Sequence, residues 1–407
     1  MHAPDGFIDA SVSAAAGAVA AAAIAVSLRG ARREQGGTSR SGTAGSGGEL
    51  TAPLAGLVAA FIFAVQMLNF PVGAGTSGHL LGGALAAILV GPYTGILCVS
   101  VVLLMQAVLF ADGGLTALGV NITTMAITTA VVAYPVFRGL VKVLPRTRRS
   151  VTAASFVAAV LSVPASAVVF TLLYAVGGTT DVSIGKVATA MVGVHLVIGL
   201  GEAVITALTV GAVVAVRPDL VYGARGLRQK LRLRVDGELV DAPDTTEPEP
   251  VGARSRKGIW IGGLVTSLVL AGFVSFYASA DPDGLERVAT DHGIDEKARE
   301  HANADSPLAD YGVEDVDDAR LSGGLAGVIG VGVTVVAGTG VFWVVRRRGT
   351  DRKADAAAPG DTAPGNAPPG DTAPGNAPPG DAPPGNASPG DAARSDASPS
   401  DTSDSSV

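Results

Sequence analysis

The chain has five histidines, and two of them sit where metal chemistry is possible. His2 follows the first residue, in MHAPDGF. The Met1 amine, the His2 amide nitrogen and the His2 imidazole can close two fused chelate rings around one ion. They offer three nitrogens in one plane, and one imidazole from elsewhere completes a square. Planar all-nitrogen coordination favours Ni(II) or Cu(II), and a main-chain amide gives up its proton only to such metals. His79, in TSGHLLGG, supplies a candidate for the fourth corner. A histidine at position two also arises by chance. What weighs toward metal is the joint pattern: no basic residue before Arg29, an N-terminus expected outside, and a second histidine at an outer helix end beside glycines. A secretory signal would place Lys or Arg first, so the start of the chain is expected to serve another purpose.

The elements that must hold these residues are membrane spans. With 48% hydrophobic and 16% charged residues, the chain is too apolar for an ordinary soluble domain. The single cysteine, Cys98, excludes an intrachain disulfide and a CxxC site. No basic, aromatic-interleaved stretch points to nucleic acid. Apolar runs at roughly 8–28, 53–70, 79–91, 93–111, 116–140, 153–177, 187–216, 258–279 and 322–345 predict an all-α integral membrane protein with nine crossings. The 79–91 run is short and glycine-rich, and a partial or re-entrant helix is expected there. Basic clusters follow spans one, five, seven and nine, and another precedes span eight. Nine crossings place all of them on one side, which the positive-inside rule makes the cytoplasm. Met1 is then outside and the C-terminus inside, in a multi-pass plasma-membrane protein. The opposite loops fit: 71–78 is uncharged, and 280–321 holds 13 acidic against four basic side chains.

Two linkers divide the chain. Residues 35–52 are rich in Gly, Ser and Thr, and 235–256 include the acidic, proline-rich DAPDTTEPEP. PGDTAPGNAP occurs at 359–368 and again at 369–378, then degrades. This repeat has no apolar face to bury, so the tail is expected to be a disordered, solvated tether.

MHAPDGF, NFPVGAGTSGHLLGGALAAILVGPYTG (69–95), LLMQAVLFADGGLTALGVNITTMA (103–126) and HLVIGLGEAVIT (195–206) together resemble the CbiM/NikM family. These are substrate-binding membrane components of energy-coupling-factor (ECF) transporters for cobalt and nickel. ADPDGLERVA (280–289) resembles the small CbiN/NikN-type partner, the PDGLE domain. The resemblance implies a fusion with four parts. A seven-span metal-binding bundle occupies 1–217, followed by a linker at 218–256. A two-span PDGLE module lies at 257–348 with its outer loop at 280–321, and the tail covers 349–407. It implies Met1, His2 and His79 as metal ligands, with Ni(II) or Co(II) as transported substrate rather than cofactor. It implies partners too: a transmembrane coupling subunit and cytoplasmic ATPases. Ala3 departs from the larger apolar residue common in the family, and the 35–52 linker is long.

Other polar residues keep two readings. Asn69, Gln106, Asp112 and Asn121 either orient the metal ligands or make interhelical hydrogen bonds. His195 and Glu202, seven residues apart, form a buried polar pair or a late waypoint for the ion, the structural reading being favoured. Asp5 is expected to cap or pin the N-terminal loop. His292 and His301 gather cations or belong to a plain solvated loop. Gly78, Gly82 and Gly83 would allow close backbone approach around His79. There is no GxxxxGK[ST]; SIGKV around Gly185 lacks the first glycine and the hydroxyl residue. The chain is therefore not expected to hydrolyse ATP. No nucleophile–base set suggests an enzyme. A non-transporting membrane metal sensor or chaperone is the alternative to a transporter.

Overall fold

A computed structural model describes residues 1–36, 51–227, 232–235, 238–241 and 256–357. The glycine-rich linker, most of the acidic linker and the repeat tail lie outside the described residues. The first block begins with α1 (Ala10–Gly36) and α2 (Thr51–Gln66), followed by a small ribbon of β1 (Phe70–Gly73) and β2 (Thr76–Gly78). Next come α3 (Gly83–Val90) and α4 (Pro92–Leu109). The short α5 (Leu118–Asn121) runs through a π-helical segment, Ile122–Thr128, into α6 (Thr129–Val143). The long α7 (Arg148–Gly177) and α8 (Ile184–Val216) close the block. The second block contains α9 (Arg256–Gly272), the nine-residue α10 (Gly284–His292) and α11 (Ala319–Ala357). Between the blocks, β3 (Arg232–Val235) pairs antiparallel with β4 (Glu238–Asp241).

Among the described residues, seven helices are long and apolar enough to cross a bilayer, and α2 is a shorter apolar helix. The third expected crossing differs from a helix over 79–91. Residues 79–82 are non-helical, and α3 has only 8 residues. The segment's four non-helical and eight helical residues reach at most about 25 Å, a little under the thickness of a hydrocarbon core. Both ends of this segment are fixed. Near the far end, the Glu34 carboxylate at the end of α1 accepts from the Tyr93 and Thr94 amides at 3.1 and 2.8 Å. At the near end, Glu202 of α8 accepts from the Leu81 and Gly82 amides at 2.6 and 3.2 Å. The segment thus runs from the N-terminal end of α1 to its C-terminal end and does not turn back. Gly82 sits at φ 88, a left-handed conformation that glycine adopts without steric cost.

The long helices reverse the usual soluble pattern. On α8, His195, Ile198, Glu202, Ala203 and Thr206 are buried, while Leu196, Leu200, Val204 and Leu208 are exposed. Polar groups face inward and leucines outward, as a hydrocarbon solvent requires. The ribbon expected only as an uncharged loop closes through Ala74 and Gly75, both with positive φ, the backbone of a two-residue hairpin turn.

The second block packs on α2. A Cβ on Gly338 of α11 would stand 3.0 Å from the Gly56 Cα, so the two backbones touch. The loop joining α9 to α11 covers the end of the first block where α1 begins. There, the Ser77 amide donates to Pro282 O at 2.9 Å and the Ser279 amide to Asn69 O at 2.7 Å. The Arg299 amide donates to Asp5 O, and the Asp310 amide to Phe110 O.

Gly83 gives a test of this packing. A Cβ there would meet Thr129 Cβ at 2.9 Å and Met125 O at 3.0 Å, whereas one on Gly139 of α6 meets nothing within 4 Å. Gly83→Ala is expected to lower the melting temperature of the detergent-solubilised chain, and Gly139→Ala to leave it level or raise it. Equal melting curves for the two variants would contradict the packing of α3 on the π segment.

Candidate metal centre

The site is built on Met1. Its side chain is buried, and its sulfur accepts from Ser166 Oγ at 3.4 Å. Its amine lies 2.6 Å from His79 Nε2 and donates to Asp283 Oδ2 at 2.5 Å. Two nitrogens bound side by side to one ion at about 2.0 Å stand about 2.8 Å apart. The amine and His79 therefore already hold the spacing of neighbouring donors. His79 Nδ1 is 3.0 Å from Leu80 O. A carbonyl only accepts, so Nδ1 carries the hydrogen and Nε2 presents its lone pair to the amine.

His2 stands next to His79, with ring centroids 5.0 Å apart. Its Nδ1, the nitrogen able to close a chelate ring with the His2 amide, bonds the Asp112 carboxylate. Its Nε2 is buried and makes no hydrogen bond among the described residues. Chelation therefore requires Nδ1 to exchange Asp112 for the ion. Among the described residues, no three His, Cys, Asp or Glu side chains converge on one point. A donor set here depends on main-chain nitrogen as well as imidazole.

The N-terminal segment is fixed by other elements. Asn121 accepts from the Ala3 amide at 2.8 Å and donates back to Ala3 O at 3.1 Å. It sits where α5 passes into the π segment, a backbone type often found at functional sites. Asp5 accepts from the Leu115 amide and from the Thr116 amide and hydroxyl, which pins the loop as the sequence suggests. Gly113, at φ 80, leaves no room for a side chain: a Cβ there would stand 2.8 Å from Asn121 Nδ2 and 3.3 Å from His2 Cβ.

The remaining candidates divide. Gln106 donates to Tyr311 Oη at 2.9 Å, and Tyr311 donates to Asp112 Oδ2 at 2.5 Å. Gln106 and Asp112 thus form a relay that ends on His2. Asn69 meets the second block through its main-chain carbonyl, which accepts from Ser279. His195 and Glu202 do not pair: His195 Nδ1 bonds Met191 O at 2.8 Å, and Glu202 holds the amides of Leu81 and Gly82. Glu202 thereby fixes the backbone just after His79. His301 is tied to Gly113 O at 3.3 Å. His292 lines a surface pocket with Ser183 and Lys186.

The charges of the site are set by one another. Burial alone would push the Asp283 carboxyl up, but the Met1 amine and His79 outweigh it and hold it well below the usual range. The same contest at Asp112 goes to His2 and Tyr311 and brings that carboxyl down to about 2.

Sequence reasoning missed Asp283, Tyr311 and Ser166. Asp283 carried a local signal, because DGLE reads as a capping box. Its Oδ1 accepts from the Leu285 and Glu286 amides, and Glu286 returns a bond to the Asp283 amide. Nothing in that motif shows that Oδ2 reaches an amine from the other end of the chain.

A family model for the cobalt uptake substrate-specific transmembrane region matches residues 2–220, and one for the PDGLE domain matches 257–347. A metal transport protein of Haloquadratum walsbyi, provisionally so described, is 37% identical over 54% of this chain and 94% of its own length. A protein of Archaeoglobus fulgidus, provisionally described as the fused nickel transport protein NikMN, is 40% identical over 54% of this chain and 68% of its own. The crystal structure of a truncated transition metal transporter is 27% identical, covers 53% of this chain and 99% of that one, and superposes with a TM-score of 0.44. With more than half its length matched, the chain belongs to the cobalt uptake substrate-specific transmembrane region family and carries a PDGLE domain in the same polypeptide.

Proposed function

We propose that this multi-pass membrane protein captures a cobalt or nickel ion for import, using the Met1 amine, the His2 amide and imidazole, and His79. The observation that carries the reading is the 2.6 Å separation of the Met1 amine from His79 Nε2, with the His2 ring alongside. An amine and two imidazoles from distant parts of the chain meet in a buried pocket. The relatives' names point to transport rather than to a sensor or chaperone.

The ion is cargo. Its capture displaces the amine from Asp283 and His2 from Asp112, so two carboxylates exchange partners as it binds. The loop bearing the 13 acidic residues of 280–321 folds over this end, and its negative field draws in divalent cations. The basic residues Arg29, Arg32, Arg33, Arg138, Lys142 and Arg217 cluster at helix ends remote from the site. That polarity supports a site facing outward and a cytoplasmic opposite end. Energy for release then comes from separate subunits, a coupling membrane protein and cytoplasmic ATPases, as the family resemblance implies.

Two tests separate this reading from its rivals. In cells expressing the chain with its partner subunits, His2→Ala and His79→Ala are each expected to reduce accumulation of radiolabelled nickel or cobalt to background. A tag joined ahead of Met1 is expected to do the same, because it converts the amine to an amide. Uptake that tolerates either change would remove the site. Asn121→Ala takes away both bonds to Ala3 but no donor. It is expected to weaken ion binding about tenfold with transport of saturating ion largely kept, measured by titration of the purified complex.

A further inference from the structure

His195 is an unexplained group at the edge of the site. It lies on α8 and is fully buried. Its Nδ1 faces Met191 O at 2.8 Å, so the hydrogen of the neutral ring is on Nδ1 and Nε2 bears the lone pair. That Nε2 is buried and makes no hydrogen bond among the described residues. A satisfied core histidine would use both nitrogens, since an unpaired buried acceptor costs about 1–3 kcal/mol. The ring lines a narrow cavity, too tight to admit a water molecule, shared with Met1, Gly78, His79, Asp283 and Gly284. Gly284 lets the α10 backbone pack directly against this ring: a Cβ there would stand 3.3 Å from His195 Cε1 and 2.7 Å from Ile198 Cδ1. Across the cavity is Asp283, whose Oδ2 lies 2.5 Å from the amine and 3.6 Å from His79 Nε2.

We propose that His195 Nε2 and the Asp283 carboxylate form a second, transient site for the divalent ion, from which it passes to Met1, His2 and His79. The proposal rests on the reading of those three residues as the capture site. One imidazole and one carboxylate bind a borderline metal more weakly than a chelating set of nitrogens, so transfer runs downhill. When the ion takes Asp283, that carboxylate leaves the Met1 amine, and the amine is released to become a donor. The resting contact between Asp283 and the amine therefore keeps the final site from forming until an ion has arrived. No chemical bond is made or broken beyond ligand exchange and the loss to water of one proton each from the Met1 amine and the His2 amide.

The test uses the full chain with its partner subunits, and Ni²⁺ and Cu²⁺ as probes. Stopped-flow absorbance follows growth of the visible band of planar nickel after mixing. His195→Gln, close in size to histidine, is expected to slow that growth about tenfold while the final band is unchanged. His195→Cys, which restores a donor, is expected to recover part of the rate. A purely structural role would give no rescue by cysteine and would reduce the final band. In a second arm, His2→Ala combined with His79→Ala disables the final site and leaves His195 as the only imidazole beside Asp283. Copper bound to that variant is expected to show one imidazole nitrogen with oxygen donors by electron paramagnetic resonance, and adding His195→Gln is expected to remove the nitrogen signal. Loading of His195→Gln at the wild-type rate, or an unchanged copper spectrum, overturns the second site alone. A wild-type chain with no planar band removes the capture site and this inference with it.

Discussion

The structure depends on burying a primary amine. The Met1 nitrogen is brought out of water with one carboxylate and one imidazole as its neighbours. A charged group so placed is stable only if its partners are close and correctly aimed. Much of the surrounding architecture is what that demands. Asn121, Asp5 and Gly114 fix the first residues by main-chain and side-chain bonds. Ser166 and the Met1 side chain anchor the residue from below. Asp283 is locked by its own capping box. A floating carboxylate would leave the amine unpaired in part of its motion, whereas one carboxyl oxygen held by two amides leaves the other fixed in place.

The same logic explains why charge and hydropathy are arranged as they are. The apolar faces of α7 and α8 point outward, and serine, threonine, histidine and glutamate point inward. Glu202, buried in α8, would be costly there without its two amide donors. Those donors come from the one stretch of the first block that cannot be helical if it is to present His79. Irregular backbone at this depth needs side-chain acceptors, and the carboxylate supplies them.

Much of this was legible in the sequence, and the rest was hidden for physical reasons. The crossings followed from apolar runs, because hydropathy acts locally. Met1, His2 and His79 stood out because chelation by a leading dipeptide is a local chemical fact. Asp5 and Asp112 were visible as polar groups where apolar ones would be expected. The non-helical start of the 79–90 crossing was not, since 79–91 is as apolar as a helix. The π segment was also missed. It accompanies threonines that bond back to earlier carbonyls, Thr128 to Thr123 and Thr129 to Met125, and such threonines occur in ordinary helices too. Asp283, Tyr311 and the true partners of Glu202 depend on residues from about 120 to 282 positions away meeting. No periodicity records that.

Having both blocks in one chain divides the labour within the second one. Its long helix α11 packs on α2 through Gly56 and Gly338, which bring the two backbones together, and α9 seats Gly263 against the Leu57 side chain. The loop between them is different. It lies on the first block through scattered bonds, such as Ser77 to Pro282 and Arg299 to Asp5, and its helix α10 has nine residues. Local opening draws on short segments of this kind before long packed helices, although moving α10 must also release Leu285, Val288, Ala289 and Ile294 from the core. On the proposed reading of the site, an ion reaching the amine therefore does not require the second block to leave α2. It requires only that α10 and its capping aspartate shift while α9 and α11 stay seated. Because the helices hold the loop close, the carboxylate returns to the amine at a high effective concentration once the ion has gone.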